Sequence, residues 1–234
     1  MRRLALILAV TTALAGCSAV PTDEILYQAA IRDAAVAAAA KVVPLTPLPA
    51  DGTVTVVRWA GTRDSLACSG DACVFPRAGK TNDDDVIWVT LAPEVRDRCK
   101  QWGLSGEALT RRLNQLLGLP SQSSYQRVFI EFSIPAMAMT RPCVGAGTDA
   151  QGRPVCQPAL GVNWQKADKA QSFAALTMAS SYTSKGGYPF TRLGYTYDWG
   201  LDAQPDHYGA SEFVVTPSSP ATVLRQATAD EYCR

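Results

Sequence analysis

Histidine is almost missing from this chain: His207 is the only one among 234 residues. Any Ser-His-Asp or Cys-His scheme must therefore use that ring. Ser180, Ser181, Ser211 and Asp206 are available to it, but no G-x-S-x-G elbow is present to present a serine. Paired C-x-x-C units are missing too, and His207 has no cysteine near it, which argues against a zinc site. Charge of one sign is not in excess, with 22 Lys+Arg against 21 Asp+Glu, and no basic block stands out. Nucleic acid is thus not an expected partner. The run Asn82-Asp83-Asp84-Asp85 lacks the glycine and the distal glutamate of an EF-hand loop, so a solvated turn is expected there rather than a calcium site. No internal repeat is visible. Beyond the first residues, no apolar run is long enough for a membrane-spanning helix.

What is present begins with an export signal. Arg2 and Arg3 form a positive n-region, and Leu4 to Ala15 form an apolar stretch too short to span a hydrocarbon core of about 30 Å. It ends in Leu14-Ala15-Gly16-Cys17, which resembles the lipobox of bacterial lipoproteins. That resemblance implies cleavage before Cys17, a diacylated Cys17 sulfur and an acylated new amino terminus. Three acyl chains exceed the two-signal threshold for stable anchoring. Ser18, where an aspartate would signal retention at the inner membrane, looks like the pattern sorted to the outer membrane. The resemblance therefore implies a lipid bilayer as partner through Cys17, and a domain that works outside the cytoplasm. Residues 1–16 are read as the signal peptide, 17–52 as a lipidated amino terminus with a helix and connector, and 53–234 as one globular domain.

Cysteine usage agrees with export. Setting Cys17 aside leaves six: Cys68, Cys73, Cys99, Cys143, Cys156 and Cys233. An even number in an oxidising compartment reads as disulfides, with 15 connectivities open in principle. Locality favours Cys68–Cys73 across Ser69-Gly70-Asp71 and Cys143–Cys156 across a glycine-rich loop. Cys99–Cys233 then remains, pinning the carboxyl terminus to a helix and stabilising by about 4–5 kcal/mol in the chain-entropy account.

Thr22 is placed to cap a helix whose first turn carries Asp23 and Glu24, favourable at the positive end of the dipole. Its alanine-rich body is predicted to run to about Val43, as a stalk or as a helix lying on the domain. Pro44, Pro47 and Pro49 then make a stiff connector. Strands are expected at 53–59, 86–91, 127–134, 211–216 and 221–227. In the first of these, Val54, Val56 and Arg58 share a face. Helices are expected over 93–102, 105–117 and 163–181. In the second, Leu109, Leu113, Leu116 and Leu117 form the apolar stripe, and Gly118 and Pro120 stop it. Strands interspersed with helices but without a βαβ rhythm predict an α+β fold: one disulfide-stapled domain with a mixed or largely antiparallel sheet and several short helices.

Two constellations invite a functional reading. Gly186 to Gly200 packs five aromatics with Arg192 and Asp198. Tyr188, Arg192, Tyr195, Tyr197, Asp198 and Trp199 are therefore candidate binding residues, suited to a protein or glycan on the cell envelope if the rings are exposed together. Packing in the core is the alternative for the same rings. The second constellation is the order Val56-Val57-Arg58-Trp59, Trp88-Val89-Thr90, Gly118-Leu119-Pro120, Arg127 to Phe132 and Gly209 to Val215. It resembles the outline of ADP-ribosyltransferase-like toxin domains, without their Ser-Thr-Ser motif at Thr90 and with Ala210 where an acidic or amide residue usually precedes the catalytic glutamate. The resemblance implies NAD as cofactor, Arg58 on its phosphates or ribose, Thr90 supporting the site and Glu212 on the nicotinamide ribose. A structural Arg58–Glu212 pair is the alternative. Otherwise no cofactor and no metal is expected, and a binding module anchored to the envelope is the leading reading.

Overall fold

The computed structural model describes residues 21–61, 67–69, 72–74, 87–120, 127–158, 169–183, 185–216 and 219–234, with backbone only for 67–69, 72–74 and 169–173. Cys17, the signal segment and Asp83-Asp84-Asp85 lie outside the described residues. Among the described residues, eleven strands and five α-helices follow in the order α1 (Asp23–Ala34), β1 (Thr53–Gly61), β2 (Ala67–Ser69), β3 (Ala72–Val74), β4 (Ile87–Leu91), α2 (Ala92–Gln101), α3 (Gly106–Leu116), β5 (Arg127–Pro135), β6 (Met139–Thr140), β7 (Gly145–Thr148), β8 (Pro154–Gln157), α4 (Lys169–Ser181), β9 (Tyr195–Tyr197), β10 (Tyr208–Val215), β11 (Pro220–Ala227) and α5 (Ala229–Tyr232). One curled sheet runs β2-β3-β11-β5-β1-β4-β10-β6, with β9 on β10, and every pairing in it is antiparallel. The α+β expectation holds, and the sheet is antiparallel throughout.

The central strands bury both faces. On one, Val57, Trp59 and Phe129 meet Val95, Leu109, Leu113, Leu116 and Tyr232 from α2, α3 and α5. On the other, Val56 and Phe132 join Ile134, Val89, Leu91, Phe213 and Val215. Leu109, Leu113 and Leu116 of the α3 stripe are fully buried, about 1.5–3 kcal/mol for each side chain, while Leu117, just past the end of α3, is partly buried. Ser105 precedes α3, yet its hydroxyl makes no cap bond. The Asp230 carboxylate accepts from Gly106 N instead, at 3.1 Å, joining α5 to the start of α3. Cys99–Cys233 and Cys143–Cys156 are bonded as expected. The first ties α2 to the end of α5, and the second crosses the β7–β8 hairpin. Register sets Cys68 opposite Cys73; a bond between them lies outside the described side chains.

Helix α1 lies on the domain, and it stops nine residues short of the expected end. Thr22 caps it as expected, accepting from Ile25 N. The early stop has a physical cause at the carboxyl end. Arg192 donates to the carbonyls of Ala34 and Ala35, and Lys41 Nζ donates to those of Asp33 and Val36. Side chains thus take the carbonyls that a further turn would use. Tyr27, Ala30, Ile31 and Ala34 of α1 pack on Tyr197 and Trp199. The proline-rich connector also belongs to the fold. Leu45 is buried and its N–H donates to Pro154 O at 2.8 Å.

Candidate functional site

The aromatic segment is an inner layer, and the expectation of an exposed patch is corrected. Tyr195, Tyr197 and Trp199 keep only 1, 6 and 3% of their surface exposed, and Arg192 and Asp198 are buried with them. Each polar tip has a partner inside the protein. Tyr195 OH donates to Lys41 O, Tyr197 OH to the Asp33 carboxylate, and Trp199 Nε1 to Leu119 O. Burial pushes both tyrosine hydroxyls well above their ordinary range. Tyr197 and Trp199 are hidden under α1, whose Tyr27, Ala30, Ile31 and Ala34 pack on them, and Tyr195 is hidden with Leu45 of the connector beside the Cys143–Cys156 bond. Tyr188 alone of the six candidates is substantially exposed, at 49%.

Asp198, the one carboxylate in that segment, reaches α3 and builds the floor of a cleft. Arg112 Nη1 and Nη2 donate to its two oxygens at 3.0 and 2.8 Å, a bidentate buried pair. Gly200 N donates to the same carboxylate at 3.0 Å. Arg112 Nε turns to Asp202 at 3.2 Å, and its guanidinium sits 4.6 Å over the Trp102 ring. Arg98 and Gln204 complete a cleft of about 310 Å³, at the small end of ligand sites. Asp202 stands at the rim with its side chain 67% exposed. Arg98 donates one N–H to Tyr208 O at 3.0 Å and lies over the Tyr208 ring. Among the described residues its other donors have no hydrogen-bond partner. A buried ion pair adds little net stability, so this pair is better explained by what it presents: fixed charges of both signs beside an indole. Nothing in the sequence spacing linked Arg112 to Asp198, which are 86 residues apart.

The three residues of the toxin-like outline do not assemble. Register sets Thr90 opposite both Glu212 and Val57, so these share the helix-covered face. Arg58 follows Val57 in β1 and points to the other face. The Arg58–Glu212 pair fails for the same reason. Glu212 itself is unusual. Among the described residues its carboxyl has no hydrogen-bond partner, and burial pushes it up to about 8.

Two further polar clusters are structural. The Glu94 carboxylate accepts from Ser211 N at 2.6 Å, from Ser211 Oγ at 2.8 Å and from Thr46 Oγ1. It completes the β10 edge where β4 leaves the sheet to begin α2. His207, at φ 53°, stacks 4.6 Å from the Tyr197 ring and binds Asp198 O through Nδ1 at 2.8 Å. Among the described residues no hydroxyl or thiol is hydrogen-bonded to its ring, and no three His, Cys, Asp or Glu side chains converge as a metal site. No family model, curated protein or solved structure matches the chain.

Proposed function

We propose that this protein is an extracytoplasmic lipoprotein, anchored to the outer membrane through acylated Cys17, whose folded domain binds a small polar ligand in the cleft over Arg112 and Asp198. The observation that carries the binding part is the buried bidentate pair at the cleft floor. It holds two charges in place without a net stability gain that would explain them. The two disulfides support the compartment, since such bonds persist where the surroundings oxidise. The anchor rests on Leu14-Ala15-Gly16-Cys17. Helix α1 begins only six residues after Cys17, so the bilayer and the domain are close neighbours in this account.

A thermal-shift panel on the oxidised mature chain tests the binding part. Phosphorylated and zwitterionic small molecules, simple glycans, peptidoglycan fragments and NAD are offered in turn. A ligand at about 100 times its Kd adds about 2.7 kcal/mol. The expected result is a shift with a small polar ligand that Arg112→Met removes. A shift with NAD alone that Glu212→Gln removes and Arg112→Met leaves intact would transfer the function to the Thr90–Glu212 face.

A further inference from the structure

The cleft does not stand apart from the amino terminus. Arg111, the neighbour of Arg112 on α3, holds the Asp23 carboxylate in the first turn of α1 through Nε and Nη2, at 2.6 and 2.5 Å. Its guanidinium is held charged chiefly by that hydrogen bond, and the charge of Asp202 at the cleft rim adds to it. One arginine therefore links the start of α1 to the mouth of the cleft. From Cys17 to Asp23 the chain advances six residues, at most about 20 Å even when fully extended. If Cys17 carries acyl chains, the cleft mouth lies within reach of lipid headgroups.

The charges available in the cleft define what fits. Asp198 is saturated by Arg112 and Gly200 N. Left over are the unused N–H groups of Arg98, the second N–H on each terminal nitrogen of Arg112 and the exposed Asp202 carboxylate. A simple anion would be drawn to Arg98 and repelled by Asp202, and a simple cation the reverse. A ligand carrying both charges a few bonds apart satisfies both. We infer that the cleft holds the zwitterionic headgroup of a membrane phospholipid of the phosphoethanolamine type, phosphate on Arg98 and Arg112, ammonium on Asp202. The inference rests on the anchor reading for the source of the ligand, and on the cleft alone for its chemistry.

Titration calorimetry of O-phosphorylethanolamine into the purified full chain tests the chemistry without needing the anchor. Inorganic phosphate and ethanolamine serve as the half-ligands. Saturable binding is expected, at least tenfold tighter than for either half, a difference of about 1.4 kcal/mol. Arg98→Gln and Asp202→Asn, each checked for unchanged circular dichroism, should weaken it at least tenfold. No saturation, or equal binding of phosphate alone, overturns the inference, as do variants that bind like the parent chain. A second arm reads the source. Hydroxyl-radical labelling of Trp102 should fall severalfold when the acylated chain is held in phosphatidylethanolamine nanodiscs rather than phosphatidylglycerol ones. Equal labelling in both overturns the membrane origin, while failure of the anchor reading shows separately as a chain that takes up no fatty acid.

Discussion

Glu212→Gln should stabilise this protein, and only at neutral to alkaline pH. Register sets Glu212 opposite Thr90, with Val214 opposite Trp88 beside it, and Phe190 packs edge-on against Trp88. Burial raises the carboxyl from an ordinary 4.5 to about 8. The folded protein thus holds this proton more tightly than the unfolded chain does. Stability from the group is complete below about pH 4.5, falls across the interval, and is gone once pH passes through about 8. The whole interval is equivalent to about 5 kcal/mol at most. Glu212 keeps some exposure, so solvent relieves part of the penalty, and about 2–3 kcal/mol is the working figure. Glutamine keeps the shape and removes the charge. Differential scanning of parent and Glu212→Gln at pH 5 and pH 8.5 should give near-equal midpoints at the lower pH. At the higher pH the variant should melt about 5–10 °C above the parent, at roughly 2–4 °C per kcal/mol for a chain of this size. An equal difference at both pH values, or a variant that melts lower at pH 8.5, refutes the reasoning.

Three other perturbations have expected outcomes. Cys233→Ser opens a loop of 134 residues and should lower urea stability by about 4–5 kcal/mol under non-reducing conditions; a loss below about 1 kcal/mol would contradict the staple. Asp198→Asn leaves Arg112 buried against a half-matched partner, at about 3–5 kcal/mol, whereas the double change Arg112→Met/Asp198→Leu should lose less than that single variant in equilibrium urea unfolding. Gly209→Ala would place a Cβ 2.3 Å from Thr196 O and 2.4 Å from Leu116 O. Because both obstacles are backbone, it should destabilise by about 3 kcal/mol, read as a lower thermal midpoint.

The parts of this fold that were legible in the sequence are those encoded locally. The α3 stripe, the alternation of β1 and the Thr22 cap each use residues within one turn or one strand of each other, so periodicity finds them. Disulfide pairing was legible because one pair was close in sequence and elimination supplied the longer one. The end of α1 was not legible, because Arg192 and Lys41 terminate it and Arg192 arrives from 158 residues away. The same distance hid the fate of Tyr195, Tyr197 and Trp199. Their composition suits a binding patch or a core, and only the docking of α1 and of the connector after it decides between them. Asp198 was already a candidate binding residue in the sequence, but nothing marked Arg112 as its partner until the tertiary fold closed the two into a pair. Arg58 and Glu212 fail as a pair for a subtler reason. Each lies on a correctly read strand, but an offset of one residue in register puts their side chains on opposite faces.

Mass spectrometry of the mature amino terminus tests the central claim most directly. The protein is isolated from separated inner- and outer-membrane fractions and digested, and its first peptide is weighed. The account calls for a peptide that begins at Cys17, carries three acyl chains and sediments with the outer membrane, with Cys17→Ser abolishing all three properties. A soluble chain that still begins at Met1, or a cleaved chain with an unmodified Cys17, would contradict it.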